Sequence, residues 1–285
     1  MVKRLFGHAL LLAGLLFPRP ASALELPQIA EATKPSVVLV TLYDANGTKA
    51  GSGSGFFVSA DGELVTNHHV IEGAARASVS MSDGRELLVL GVLVDDPEHD
   101  IALVKVAGAG FPPLPIGDTT ALHAGEDIVV IGSPLGLSTT ISTGIVSAVR
   151  GDGLTSQEGF KKDTDKTTAA WGLQISAPIA PGSSGSPILS RSGDVVGVAV
   201  GLLTRGQNLN FGIPTVFVKA AMAKAAAGAP LRALDAVPDR RKNLAISIAV
   251  GLALALAFRF VPDLVRWRAG KRAGTRPHRV PSSRG

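Results

Sequence analysis

Three serines stand within four positions in IAPGSSGSPIL, residues 179–189, flanked by Pro181 and Pro187 and spaced by Gly182 and Gly185. A chain reversal needs only about one glycine and one proline, so the run either is a polar loop or presents a hydroxyl to something. A serine hydroxyl is a weak nucleophile unless a base takes its proton, and that base needs an acceptor to orient it. Candidate bases are few. The six histidines are His8 and His278 near the two ends, His123 in a stretch poor in strand signals, His68 and His69 in VTNHHVIEG, and His99 in DDPEHDIALVKV. In the last segment Asp100 opens a strongly apolar strand. A carboxylate at the lip of a buried strand is costly to desolvate unless something donates to it, and an imidazole N–H is such a donor. The chain thus supplies a histidine, an aspartate and a serine, in that order, each at the border of a strand. One such feature alone is usually a turn or a structural histidine.

The elements that must position these residues are short strands and turns rather than alternating strands and helices. SVVLVTLYD, SGFFVSADGELVTNHHVI, RELLVLGVLVDD and DIALVKV form a first group of apolar or β-branched runs. EDIVVIGSPLG, TTISTGIVSAV, GLQISAPI, SPILSRSGDVVGVAVGLL and NLNFGIPT form a second. GFFVSADGELVT and PILSRSGDVVGVAV read as hairpins around glycine-containing turns. Residues 111–125, FPPLPIGDTTALHAG, read as a linker between the groups, 218–228 as a closing helix, and 151–171 as a polar mobile loop. The pattern is that of two packed β-barrels or sandwiches joined by a linker. GSGSGFF lacks both the dinucleotide-binding spacing and the phosphate-loop lysine, so it reads as the opening of a strand. No cysteine is present, which excludes disulfides and thiolate chemistry. No histidine–carboxylate cluster has metal-ligand spacing, and the chemistry needs no metal and no cofactor.

Together TNHHV, DIALVKV and PGSSGSP resemble the three catalytic segments of trypsin-like serine proteases, and most closely the HtrA/Deg branch; STGIVSAV and NLNFGIPT are similar to segments of the same branch. The resemblance covers roughly residues 30–225. It implies an all-β fold of two six-stranded antiparallel β-barrels of the chymotrypsin type, and a serine endopeptidase acting on polypeptides. Carried over residue by residue, it implies His69 as base, Asp100 as orienting acid and Ser184 as nucleophile. It implies the backbone N–H groups of Gly182 and Ser184 as oxyanion hole. Asp95 and Asp96 fall in the turn before the strand, and His68 takes a place often held by asparagine. Ser183 and Ser186 depart from the usual asparagine and second glycine of the nucleophile loop, though neither change removes a catalytic group. The substrate pocket is expected among Pro178, Ile179, Val200 and Gly201. Its walls carry no buried carboxylate that could pair with a lysine or arginine, so cleavage after Val, Ala, Ile or Leu is expected. The competing reading is a degenerate protease scaffold that binds peptides without cutting them.

The net charge of +5 is uneven: residues 1–23 carry +3, residues 24–239 carry −8, and residues 240–285 carry +10. An acidic body with basic ends does not suit a nucleic-acid binder and suits a chain handled by a membrane. Lys3 and Arg4, the apolar run at 9–17 and Ala21-Ser22-Ala23 have the pattern of a secretory signal peptide. Residues 244–261 form an apolar stretch long enough for a transmembrane helix, and the more basic flank lies after it. The expected organisation is therefore a signal peptide at 1–23, a protease domain at 24–228, a linker at 229–243, a transmembrane helix at 244–261 and a basic cytoplasmic tail at 262–285. That places a single-pass protein in a bacterial inner membrane with its protease domain in the periplasm. The 229–243 linker is too short for the PDZ domain that HtrA-like proteases commonly carry after the body. The sequence leaves an oligomer open.

Overall fold

The computed structural model describes residues 25–132, 140–150, 172–202 and 210–236. The expected signal peptide, the 151–171 loop, the 244–261 stretch and the basic tail lie outside the described residues. Among the described residues no helix is long and apolar enough to cross a membrane.

Twelve strands form two closed barrels of six. The first contains β1 (Val37–Tyr43), β2 (Lys49–Phe57), β3 (Glu63–Thr66), β4 (Arg76–Ser80), β5 (Glu86–Asp96) and β6 (Ile101–Val106). The second contains β7 (Asp127–Gly132), β8 (Thr140–Val149), β9 (Leu173–Ile175), β10 (Pro187–Ser190), β11 (Val195–Leu202) and β12 (Asn210–Pro214). Around the first barrel the order is β1-β2-β3-β6-β5-β4, and the second repeats it as β7-β8-β9-β12-β11-β10. All pairings are antiparallel, and closure leaves no strand edge unpaired. The expected hairpins are β2–β3 and β10–β11, and the expected linker falls within the β6–β7 connection.

Strand alternation distributes the core. Phe57 faces the interior of the first barrel with Val38, Leu64 and Val104, while its neighbour Phe56 joins a cluster shared between the barrels with Leu103, Val129, Val198 and Phe211. Successive side chains of a strand leave opposite faces, so one strand serves both layers. Ile128, Leu173, Ile175 and Ile188 fill the second barrel. Burying a side chain of this size stabilises by roughly 1.5–3 kcal/mol, and the shared cluster fixes one barrel against the other. From the connection, Phe111 stacks on Phe57 with ring centroids 4.1 Å apart, sealing the first barrel.

Among the described residues three α-helices accompany the barrels: α1 (Leu26–Thr33), α2 (His68–Ile71) and α3 (Thr215–Ala226). The chain stays with the body past residue 228. Val92 and Arg232 exchange backbone hydrogen bonds of 2.7 and 2.9 Å, and Leu234 is buried in the first barrel's core. The start of the expected linker therefore belongs to the fold.

Candidate active site

Histidines 68 and 69 do not end a strand; they form the first half of α2, a single turn after β3. Helical geometry turns successive residues by about 100°, and here it separates their fates. The His69 side chain is 40% exposed, and that of His68 only 4%. Asp100 is fully buried where the β5–β6 connection enters β6. Its backbone has φ +56°, the only positive value at a non-glycine among the described residues. Aspartate is among the few side chains that tolerate this region. Its Oδ1 accepts from the His69 backbone N–H at 2.9 Å and its Oδ2 pairs with His69 Nδ1 at 2.8 Å. Its carbonyl accepts from Asn67 Nδ2 at 2.9 Å and from the His68 N–H at 3.2 Å. A carboxylate can only accept, so His69 Nδ1 carries the proton and Nε2 presents its lone pair, the tautomer a general base needs.

Ser184 lies in the β9–β10 connection of the second barrel. Gly182 and Gly185 there have φ of +91° and +87°, a region open to glycine without steric cost. A side chain at 185 would also collide with the Ser54 carbonyl. The turn is closed by Ser183 N–H donating to the Ala180 carbonyl and Ser186 N–H to the Ser183 carbonyl, at 2.9 and 3.0 Å. The N–H groups of Gly182 and Ser184 have no acceptor among the described residues, as an oxyanion hole requires. Ser54 of β2 ties this loop to the first barrel. Its Oγ donates to the Gly182 carbonyl at 2.8 Å and its N–H to the Ser184 carbonyl at 2.7 Å, while its own carbonyl accepts from Thr66 Oγ1 at 2.7 Å. Ser184 Oγ donates to the Val200 carbonyl at 3.1 Å.

His69, Gly182 and Ser184 line one cavity of about 430 Å³, whose other wall is Leu42 and residues 50–52 of the first barrel. Pro178 and Ile179 line a separate cavity of about 180 Å³ with Val130, Gly132, Ser142 and Ser183. Val200 is buried, accepts from Ser184 Oγ through its carbonyl and lines neither cavity.

Sequence reasoning missed three contributors. Asp95 and Asp96 end β5 rather than occupying a turn, and each takes a histidine: His68 Nδ1 lies 2.6 Å from Asp95 Oδ1, and His99 Nδ1 2.9 Å from Asp96 Oδ2. The third is Ser54, hidden in a glycine-rich strand whose composition explains itself without it. The departures at 183 and 186 are both buried. Ser186 Oγ has no partner among the described residues and occupies the space that a side chain at 132 would need.

Residues 53–198 match the family described as the trypsin-like peptidase domain. The chain is 32% identical over 235 residues to a DegP-like periplasmic serine endoprotease of Marinomonas, covering 80% of this chain and 48% of that one. It is 35% identical to serine protease HTRA1 of Xenopus laevis, covering 70% and 42%. A DegP-like protein of Pseudomonas fluorescens is 38% identical over 57% of this chain and 32% of its own. The chain therefore spans about a third to a half of these curated relatives. Among solved structures it is similar to the HtrA-type protease AlgW with a tripeptide, at 26% identity and TM-score 0.60, over 70% of this chain and 63% of that one. The serine endoprotease from Yersinia pestis gives 26% and 0.58, over 72% and 68%. With two barrels, a histidine held by a buried aspartate and a serine loop between glycines, the chain belongs to the trypsin-like peptidase family.

Proposed function

We propose that this chain is a serine endopeptidase in which His69, Asp100 and Ser184 are the catalytic triad. His69 Nε2 takes the Ser184 proton as Oγ attacks the peptide carbonyl. The Gly182 and Ser184 N–H groups stabilise the oxyanion. His69 then protonates the leaving amine, and water hydrolyses the acyl-enzyme by the same steps. The observation that carries this reading is the double attachment of His69 to Asp100 on one wall of the cavity that Ser184 also lines. No cofactor enters the scheme. The substrates are unfolded polypeptide segments cut after small or branched apolar residues, with Pro178, Ile179, Val200 and Gly201 near the pocket. The 1–23 pattern and the 244–261 stretch support export and a membrane anchor, with the body in the periplasm. The periplasmic names of relatives support the same side.

A peptide-binding scaffold without turnover is the second reading, and the bond from Ser184 Oγ to the Val200 carbonyl is what favours it. Casein digestion separates the two. The endopeptidase reading expects cleavage by wild type and loss of several orders of magnitude in Ser184→Ala, whereas wild-type protein that binds casein and never cuts it supports the scaffold.

A further inference from the structure

His68, the only buried histidine among the described residues, does no chemistry in the scheme above, yet it touches both ends of the segment that carries Asp100. The His68 backbone N–H donates to the Asp100 carbonyl at 3.2 Å, and its ring Nδ1 meets Asp95 Oδ1 at 2.6 Å. The two side chains are 4% and 7% exposed. Exposed pairs of this kind hold little geometry. A buried carboxylate left without its donor is costly, so this pair strongly resists separation. The ring's Nε2 has no partner among the described residues, which leaves Asp95 as its single polar tie.

Between the two contact points the chain is short and demanding. Asp95 and Asp96 end β5 opposite Ala102 and Ile101 of β6, so only residues 97–100 make the reversal. Asp100 must also hold its positive φ there, a conformation that persists when surroundings over-determine it. Asp96 contributes by accepting from the His99 N–H and pairing with its Nδ1 at 3.3 and 2.9 Å, while the His99 ring stacks on Phe217 of α3 at 3.9 Å. That arrangement closes the turn locally. His69 ties only the Asp100 end to α2, the element that carries the base, whereas among the described residues His68 alone bonds to both ends of the turn.

We propose that His68 and Asp95 form a positioning pair that clips the β5–β6 connection to α2 and so holds Asp100 in the geometry that orients His69. Neither residue touches substrate. The proposal rests on the triad reading, and it makes a distinct demand. Loss of the clip should lower kcat, because imidazole orientation matters in the chemical step, and should leave KM unchanged, because neither residue lines a cavity beside Ser184.

The test is steady-state cleavage of a fluorogenic peptide by the full chain and its variants, after a Ser184→Ala control. His68→Leu and Asp95→Ala should each lower kcat about tenfold or more with KM within about twofold. The double variant should be no slower than either single one, since both break one contact. His68→Asn, which returns a donor near the Nδ1 position, should restore kcat to within about threefold of wild type. Should His68→Leu fail to fold, Asp95→Asn gives the same split on a smaller scale. Unchanged kcat in the folded variants, additive losses in the double variant, or equal changes in kcat and KM would overturn the pair while leaving the triad standing. Wild-type turnover in Ser184→Ala would overturn the triad first, and the pair with it.

Discussion

In the first barrel the site is made from side chains: Asp100 accepts through both carboxylate oxygens from His69, and Asn67 and His68 brace the Asp100 carbonyl. In the second it is made from backbone: two glycines at positive φ shape the loop, and the Gly182 and Ser184 N–H groups have no acceptor among the described residues. The two halves meet at Ser54, which offers its hydroxyl and its N–H to carbonyls of the nucleophile loop. A side-chain device can lose its chemistry while the fold survives. A backbone device cannot be altered without altering the loop itself.

Three substitutions probe that division. Asp100→Asn should have the largest effect on turnover. Asparagine accepts the left-handed backbone region readily, so the connection should keep its shape, but its amide would face His69 with a donor and favour the wrong tautomer. A loss on the order of 10⁴-fold in kcat with little change in thermal unfolding is expected; a large drop in melting temperature instead would mean that Asp100 is chiefly structural.

Gly185→Ala comes next and should show the opposite balance. Both the +87° φ and the contact with the Ser54 carbonyl forbid a Cβ there, so the loop must move. A loss of about 2–4 kcal/mol in unfolding free energy is expected, with activity falling alongside it. A stable, fully active variant would show that the loop is less tightly held between the barrels than these contacts require.

The smallest effect is expected at Ser186. Its hydroxyl is buried without a partner among the described residues, so Ser186→Ala should be neutral or stabilising by up to about 1 kcal/mol, with kcat within about threefold of wild type. Urea unfolding measures the first and peptide cleavage the second. A clear destabilisation would mean that the hydroxyl has an acceptor after all.

Much of this was legible in the residues because the chemistry constrains types and order. The β2–β3 and β10–β11 hairpins and the connection between barrels follow from composition and turn signals, and the His, Asp and Ser segments from their order and their resemblance to family motifs. Other features depend on contacts between distant positions. His68 and Asp95 are 27 residues apart, and nothing in either segment announces the other. HHVI reads as the end of a strand because valine and isoleucine favour strands. Residues 67–72 form a helical turn instead, with the His68 N–H and the Glu72 N–H bonded to the Asp100 and His68 carbonyls. The pocket was hardest to read, because Pro178 and Ile179 lie in the β9–β10 connection while Val200, which meets Ser184, lies in β11.

The measurement that bears most directly on the central claim is labelling of the full chain by a fluorophosphonate probe, followed by peptide mapping. A triad of His69, Asp100 and Ser184 predicts one modified residue, Ser184, with labelling lost in His69→Ala and retained in Ser183→Ala and Ser186→Ala. Modification of Ser183 or Ser186, or undiminished labelling of Ser184 in His69→Ala, would contradict it.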